Sequence, residues 1–426
     1  SSLSLDERRR AEAAFAQGSD CVIVATSTLE LGIDVGDLDR VIQIDAPTTV
    51  SSFLQRMGRT GRRPGTLRNT LFLGVTNAGL LRAAALVRLW ASGFVEPIVP
   101  RPQPLHILAQ QLMALALQEG GVGATTWTEW IGQMPGFTAI APDRRKAVLH
   151  HMLEVGILFE DGGLLSMGRE GEDRFGFRHF MELLSVFTTP PLFTVFHGRT
   201  HLAQVHEASF QVRNGAANPV LLLAGRSWAV THVDWKTRVA WVEPVDLHGR
   251  SLWLGEAQPM HQPLCHAIRA VLADRDGTDT ALASRLSRRA ATALTERRAD
   301  LTWVEEGSTA VVHDAGSLRW WTFGGLLANL ALGRALGDVT RDGRTDNLAI
   351  PLDPAAAPAV LEDRIAKVRS AATSTLRPLV ADDAIDGLKF SDCLPRELAR
   401  EMLATRLSDP VACDTTLREP LRFVRD

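Results

Sequence analysis

Apolar residues in the first 78 positions fall in short runs rather than long stripes. Residues 20–26, 40–44 and 69–75 are brief, β-branched and bounded by polar positions, which predicts buried strands of a parallel sheet. Helix signals sit between and before them. Ser4-Leu5-Asp6-Glu7 has capping-box form, and Gly18 can close the helix it opens. Thr49 can cap a second helix running through Met57. Strands alternating with helices argue for a parallel sheet with helices on its faces.

The pattern then changes. A helix over 80–90 leads into a connection carrying Pro97, Pro100, Pro102 and Pro104, a density that marks an extended linker. Three helices follow, over 105–117, 126–134 and 141–155, and then two strand-like pieces around Asp161-Gly162-Gly163. Helix, helix, helix, hairpin is the order of a winged helix. Strand signals dominate from 187, at 192–196, 202–205, 220–223, 227–234, 238–242 and 251–254. Helices near 263–273 and 279–294, a strand around 310–313, the Trp320-Trp321 pair and a glycine-broken helix from Gly324 complete the stretch. The expectation is a mostly antiparallel, barrel-like module with inserted helices. Residues 353–426 read as helical and polar, with a break at Pro378. The expected division is 1–78, a partial α/β lobe; 79–103, helix and linker; 104–186, winged helix; 187–352, β-rich module; 353–426, helical segment. The class is multidomain, α/β followed by α+β.

Composition narrows the setting. The chain of 426 residues is 45% hydrophobic and 22% charged, with a formal net charge of −3. It is not a bulk polycation, so nucleic-acid binding would rest on local charge. Residues 51–110 supply such a region, with eight arginines against the single acid Glu96. No run of 18 apolar residues suggests a membrane span. The four cysteines are far apart and never form C-x-x-C, which argues against a disulfide framework or zinc ribbon and fits a reducing, cytoplasmic setting.

Two motifs carry chemistry. One is Gln55-Arg56-Met57-Gly58-Arg59-Thr60-Gly61-Arg62-Arg63; the other is Thr26-Ser27-Thr28-Leu29-Glu30-Leu31-Gly32-Ile33-Asp34-Val35-Gly36. Arg59 and Arg62 lie three apart, so one short turn can aim both guanidinium groups at one anion, and Gly58 and Gly61 let that turn approach closely. A planar guanidinium engages phosphate oxygens in two-pronged fashion. The bland alternative is a solvated, arginine-rich helix end.

Together these stretches resemble motifs V and VI of superfamily-two helicases, and more narrowly the Lhr family (large helicase-related proteins). Leu221 to Trp228, Val233-Asp234-Trp235 and Leu388 to Pro395 extend the resemblance. It implies that Arg59 and Arg62 are arginine fingers, that Gly32, Asp34, Gln55 and Gly58 face the nucleotide, and that Thr26 and Ser27 hold nucleic-acid phosphates. It also implies that residues 1–78 are part of a second RecA-like lobe, in an ATP- and Mg²⁺-dependent 3′-to-5′ translocase on single-stranded DNA. Such a translocase unwinds DNA or RNA:DNA duplexes in DNA repair.

The sequence departs from that pattern. It contains no G-x-x-x-x-G-K-[ST] loop and no D-E-x-[DH] box. A motor lobe of ordinary domain size, about 130–170 residues, is only half present. The expectation is a helicase C-terminal portion whose first RecA-like lobe is a missing partner. It should not hold ATP tightly alone, and its cut sheet should leave apolar surface uncovered. Two other classes stay open: a non-enzymatic nucleic-acid-binding module, and an accessory subunit donating its fingers in trans.

Further candidates follow from residue type. Arg144, Arg145 and Lys146 on the third helix of the winged-helix stretch could meet phosphates, or form a solvated face. Trp228, Trp235, Trp241 and Trp253, interleaved with Arg226, Lys236 and Arg238, could stack unpaired bases, although most tryptophans in sheets are core. One exposed stacking tryptophan is expected, with Trp228 and Trp235 as candidates beside Arg238. His197, His201 and His206 lack the spacing and context of a zinc site, and no metal is expected.

Overall fold

The computed structural model describes Ala13, Gly18 and residues 20–25, 38–186, 192–206, 220–223, 226–234, 237–245, 258–314, 316–341, 345–370 and 373–425. The chain divides into two compact units, one made of 1–95 and 189–258, the other of 96–188 and 259–426. The expected helix over 4–18 lies largely outside the described residues.

Within residues 1–78, β1 (Val41–Ile44) and β2 (Thr70–Leu73) pair in parallel, Val41 opposite Thr70. Between them runs α1 (Val50–Met57), capped as expected by the Thr49 hydroxyl, which accepts from the Ser52 N–H at 3.1 Å. Val50, Phe53 and Met57 recur at helical spacing and are buried. The Phe53 ring lies 5.2 Å from Phe72 on β2 and 5.8 Å, edge-on, from Trp90 on α2 (Asn77–Ala91). A third strand was expected over 20–26. Instead, residues 21–25 are irregular and join no sheet among the described residues, with Val22 and Val24 91% and 92% exposed. An apolar run holds strand geometry only when a neighbour takes its hydrogen bonds. The two paired strands leave Ile42, Ile44, Leu71 and Leu73 exposed, so apolar surface stays uncovered as expected.

Residues 105–175 order as α3 (Leu105–Glu119), β3 (Val122–Gly123), α4 (Trp127–Ile131), α5 (Pro142–Glu154), β4 (Leu158–Asp161), β5 (Leu164–Met167) and α6 (Arg169–Phe175). The strands form an antiparallel sheet in the order β3-β5-β4. Gly162 and Gly163 both take positive φ, 56° and 80°, the turn geometry that the twist of a tight hairpin demands.

The expected barrel is not formed; two open sheets stand in its place. β6 (Leu192–His197), β7 (Thr200–His206), β8 (Val220–Leu223), β9 (Arg226–Asp234) and β10 (Val239–Pro244) give a five-stranded sheet in the order β7-β6-β10-β9-β8. Its outer strands β7 and β8 do not pair with each other, so among the described residues the sheet stays open. Antiparallel pairing dominates, as expected, but β6 and β10 run parallel. The expected strand over 251–254 lies outside the described residues.

The second sheet belongs to the other unit. After α7 (Gln262–Ala273), the expected helix over 279–294 is broken into α8 (Thr280–Ala283) and α9 (Arg288–Asp300). Asp279 and Ser287 each cap a new start, at 2.9 and 3.2 Å. Then come β11 (Thr309–Asp314), β12 (Ser317–Trp321), α10 (Leu326–Leu336), β13 (Ala349–Leu352), α11 (Pro358–Ser370), α12 (Asp382–Asp386), α13 (Arg396–Arg406), α14 (Pro410–Arg418) and β14 (Leu421–Arg425). The sheet order is β13-β12-β11-β14.

Residues 353–425 do not stand apart. α11 and α14 bury Leu361, Ile365, Ala412 and Leu417 against Trp320 and Ile350 of the sheet. Phe390, Cys393, Ala399 and Met402 share one core with α3 and α5. Arg269 on α7 makes a two-pronged ion pair with Glu419, at 2.5 and 2.6 Å, with side chains 5% and 13% exposed. No described helix is long and apolar enough to cross a membrane.

Two predictions follow from the second unit. Truncating Arg269 strands a buried carboxylate, so Arg269→Ala is expected to cost about 3–5 kcal/mol of stability, read by urea denaturation. Burial, aided by nearby Arg406 and Arg269 respectively, pushes His106 and His266 down to about 4 from 6.5. The unfolded chain therefore takes up these protons first as pH falls, and stability is lost between pH 6.5 and about 4. Urea midpoints measured across that window are expected to fall with pH, and His106→Asn should flatten part of the slope.

Candidate functional site

The arginine turn is built at the end of α1. Gly58 ends the helix, its N–H donating to the Leu54 carbonyl at 2.8 Å. Arg59 follows with its N–H on the Arg56 carbonyl, 3.0 Å, while its own carbonyl accepts from Leu38 N–H at 2.9 Å. Thr60 is the pin. Its buried hydroxyl donates to the Met57 carbonyl at 2.8 Å and accepts from the Asn69 N–H at 2.9 Å, tying the helix end to the entry of β2. Gly61 then turns the chain at φ 68°, and a Cβ there would stand 2.7 Å from the Arg68 nitrogen. The residue type is dictated twice, by backbone angle and by space.

Arg59 is half-buried and Arg62 exposed. The Arg62 Nε donates to the Gly58 carbonyl at 2.8 Å, folding its guanidinium back toward the helix end. Gln55 is exposed one turn earlier on the same helix. The turn thus brings Gln55, Gly58, Arg59 and Arg62 together, presenting guanidinium groups from a rigid base. Neighbouring arginines serve the scaffold: Arg56 donates to the Gln43 amide oxygen at 3.1 Å, and Arg63 pairs with Asp39 at 2.9 Å. Thr26, Ser27, Gly32 and Asp34 lie outside the described residues.

On α5, Arg144 pairs with Glu401 at 2.6 Å and donates to Gln103 at 3.1 Å. Arg145 donates to the carbonyl oxygens of Ile140 and Phe137, at 3.0 and 2.8 Å. Both hold the unit together, and of the three basic residues only Lys146 is fully exposed. The Ser391–Cys393 turn sits against this helix region: the Asp392 carboxylate meets Arg174, and its carbonyl lies 3.1 Å from His151 Nε2.

The expectation for Trp228 is corrected. Its ring is 8% exposed, its indole N–H donates to the Leu223 carbonyl at 3.2 Å, and it packs with Phe193, Val195 and Val242 in the sheet core. Alternation along β9 points it inward, where a base cannot reach it. Arg238 is exposed in the β9–β10 turn at φ 55°, and Trp235 lies outside the described residues. His197 and His201 fall on opposite faces of the sheet, His197 beside Trp228 and His201 beside Phe196. Among the described residues no group of three or more His, Cys, Asp or Glu could hold a metal ion.

Comparison with known proteins bears directly on this turn. Residues 1–64 match the helicase conserved C-terminal domain. The Lhr helicase/uracil glycosylase of Escherichia coli (strain K12) is 41% identical over 118 residues, 28% of this chain and 8% of the relative. The Lhr helicase/probable uracil glycosylase of Mycolicibacterium smegmatis is 34% identical over 148 residues, 35% of this chain and 10% of the relative. The solved structure of Mycobacterium smegmatis helicase Lhr bound to ssDNA and AMP-PNP superposes with a TM-score of 0.65 at 19% identity. That superposition covers 100% of this chain and 60% of the other.

The chain carries the helicase conserved C-terminal domain over residues 1–64 and is similar to Lhr helicases. The likeness to the solved structure carries the fold, and the matched stretches amount to 8–10% of the length of those two curated relatives. Gly61 was read from sequence as allowing a close turn, and the structure adds its positive φ and its contact with Arg68; the Thr60 pin was not singled out. Both stand inside the motif, and only the hydrogen bond to Asn69 reveals what the threonine does. Gly61→Ala is expected to cost about 1–3 kcal/mol through its backbone angle. Hydrogen exchange should show faster opening at Thr60 and Asn69.

Proposed function

We infer that this chain is the C-terminal portion of an ATP-dependent DNA helicase, in which Arg59 and Arg62 face the phosphates of a nucleotide bound by a first RecA-like lobe. The observation that carries this reading is the arginine turn, two guanidinium groups three residues apart on a base locked by Thr60 and Gly61. Phosphoryl transfer draws mostly on positioning and charge from the protein, which such a turn supplies. Gln55 and Gly58 border it, and Gly32 and Asp34 complete the nucleotide-facing side. The triphosphate and its Mg²⁺ need a phosphate loop and an acid box that this sequence does not contain. The chain's own contribution is therefore charge delivered to a nucleotide held by its partner.

The substrate is single-stranded DNA tracked 3′ to 5′, with unwinding of DNA or RNA:DNA duplexes in repair. Thr26 and Ser27 hold the strand's phosphates. Residues 104–186 act as a winged helix whose third helix is braced by Glu401 and Gln103 through Arg144 and offers Lys146 to the backbone. A cytoplasmic setting fits four cysteines far apart in sequence, of which Cys265, Cys393 and Cys413 are buried.

ATP hydrolysis with single-stranded DNA is measured for the chain alone and with the first lobe added. The expected result is no turnover alone and DNA-dependent turnover on addition. Arg59→Ala and Arg62→Ala should each lower that turnover about a thousandfold or more. Absence of turnover with the lobe present, together with salt-dependent strand binding indifferent to nucleotide, would replace the motor with a binding module.

A further inference from the structure

The solvent side of the five-stranded sheet carries a feature unlike the rest of its surface. Phe196 on β6 has His201 of β7 as its cross-strand partner on one side and Trp241 of β10 on the other. Trp241 in turn has His232 of β9. Four ring side chains thus occupy one row across four neighbouring strands. The Phe196 and His201 centroids are 5.6 Å apart, and those of His232 and Trp241 are 5.4 Å apart. Phe193, Val195, Ala240 and Val242 alternate with the row and fill the core on the opposite face. The row is therefore not core: Phe196, His201 and Trp241 are half-exposed and His232 is exposed.

Two irregularities create it. The register of β6 on β7 shifts between Val195 and Phe196, so that His201 rather than Leu202 stands opposite Phe196. The register of β10 on β9 shifts between Trp241 and Val242, so that His232 rather than Thr231 stands opposite Trp241. Thr231, displaced by the second shift, donates to the Trp241 carbonyl at 3.0 Å and holds it. Bulges re-aim side chains, and here both act at the same row with the same result, an aromatic ring facing an imidazole. Strand directions place exposed arginines on either side of it. Arg199 follows Phe196 in the β6–β7 turn, and Arg238 precedes Trp241 in the β9–β10 turn. At about 3.3 Å per residue each begins about 10 Å from the row, within reach of a backbone crossing it.

We propose that Phe196, His201, His232 and Trp241 form a stacking platform for unpaired bases of a single nucleic-acid strand, with Arg199 and Arg238 meeting its phosphates. Rings at strand spacing accept bases without reading their edges, which suits a protein that must bind any sequence. The platform rests on the helicase reading above for its ligand, but not on the arginine turn. It lies on the opposite face of the sheet from Trp228.

The test is equilibrium binding of a fluorescein-labelled oligothymidylate to the full chain, beside an abasic oligomer of the same length. Trp241→Ala is expected to weaken oligothymidylate binding about tenfold or more. Trp241→Phe should retain most of the affinity, and the abasic oligomer should bind the parent and Trp241→Ala alike. His201→Ala combined with His232→Ala removes the outer rings and spares the core, so it reports on the platform even where Trp241→Ala does not fold. If folded variants bind oligothymidylate as the parent does, the platform is overturned. It is equally overturned if the parent binds no oligothymidylate, whereas turnover restored by the added first lobe would still uphold the motor.

Discussion

A guanidinium cannot be left alone in an apolar interior, and α7 places Arg269 in one. Its partner Glu419 comes from the far end of the chain, 150 positions later. That pairing fixes where the turn after α14 must lie, and the backbone then has little choice. The Thr309 N–H meets the Pro420 carbonyl at 2.9 Å, and β14 runs parallel to β11 from Thr309 opposite Leu421. The Arg269 guanidinium also donates to the Ser308 carbonyl at 3.0 Å, so one side chain holds both strands at their starts. Replacing such a pair with apolar groups is often neutral, whereas breaking it is not. What it contributes is register more than net energy.

The arginine turn solves the same problem on a smaller scale. The Arg62 side chain is held in part by its Nε on the Gly58 carbonyl, and its backbone fixes the rest. Here the backbone is held by a threonine hydroxyl used in both directions and by a glycine angle no other residue takes easily. Arg56 and Arg63, adjacent in sequence and identical in type, find partners within the lobe. Residue type alone does not say which partner each arginine takes; position relative to the helix end does.

Sequence periodicity was a good guide wherever an element buries one face on a local partner. α1 with its Thr49 cap, the linker, the helix–hairpin order of 105–167 and most strands of the five-stranded sheet were legible for that reason. Failures came where partners are distant. Residues 20–26 read as a strand because their composition suits one, yet composition cannot supply the neighbouring strand. β14, with Leu421 and Phe423 alternating against Arg422, has an evident period of two but was submerged in a polar helical stretch. A barrel-like module was expected from the run of strand signals, and such a run does not show which strands are sheet edges. Among the tryptophans, alternation sets core from surface, Trp228 lying with the core residues and Trp241 between buried Ala240 and Val242. The bulges put His232 opposite Trp241 and His201 opposite Phe196, pairings that no spacing in the sequence announces.

The core around α3 is finished by residues from 385 to 403, nearly 300 positions after it begins. During synthesis the ribosome would release α3 with Leu108, Leu112 and Met113 exposed, and the segment that covers them would emerge about 15–60 s later. Over that interval the early helices must survive as an incomplete core. Late closure of this kind favours slow folding and a need for chaperone shelter, and it makes residues 385–403 decisive for the fate of the first helix bundle.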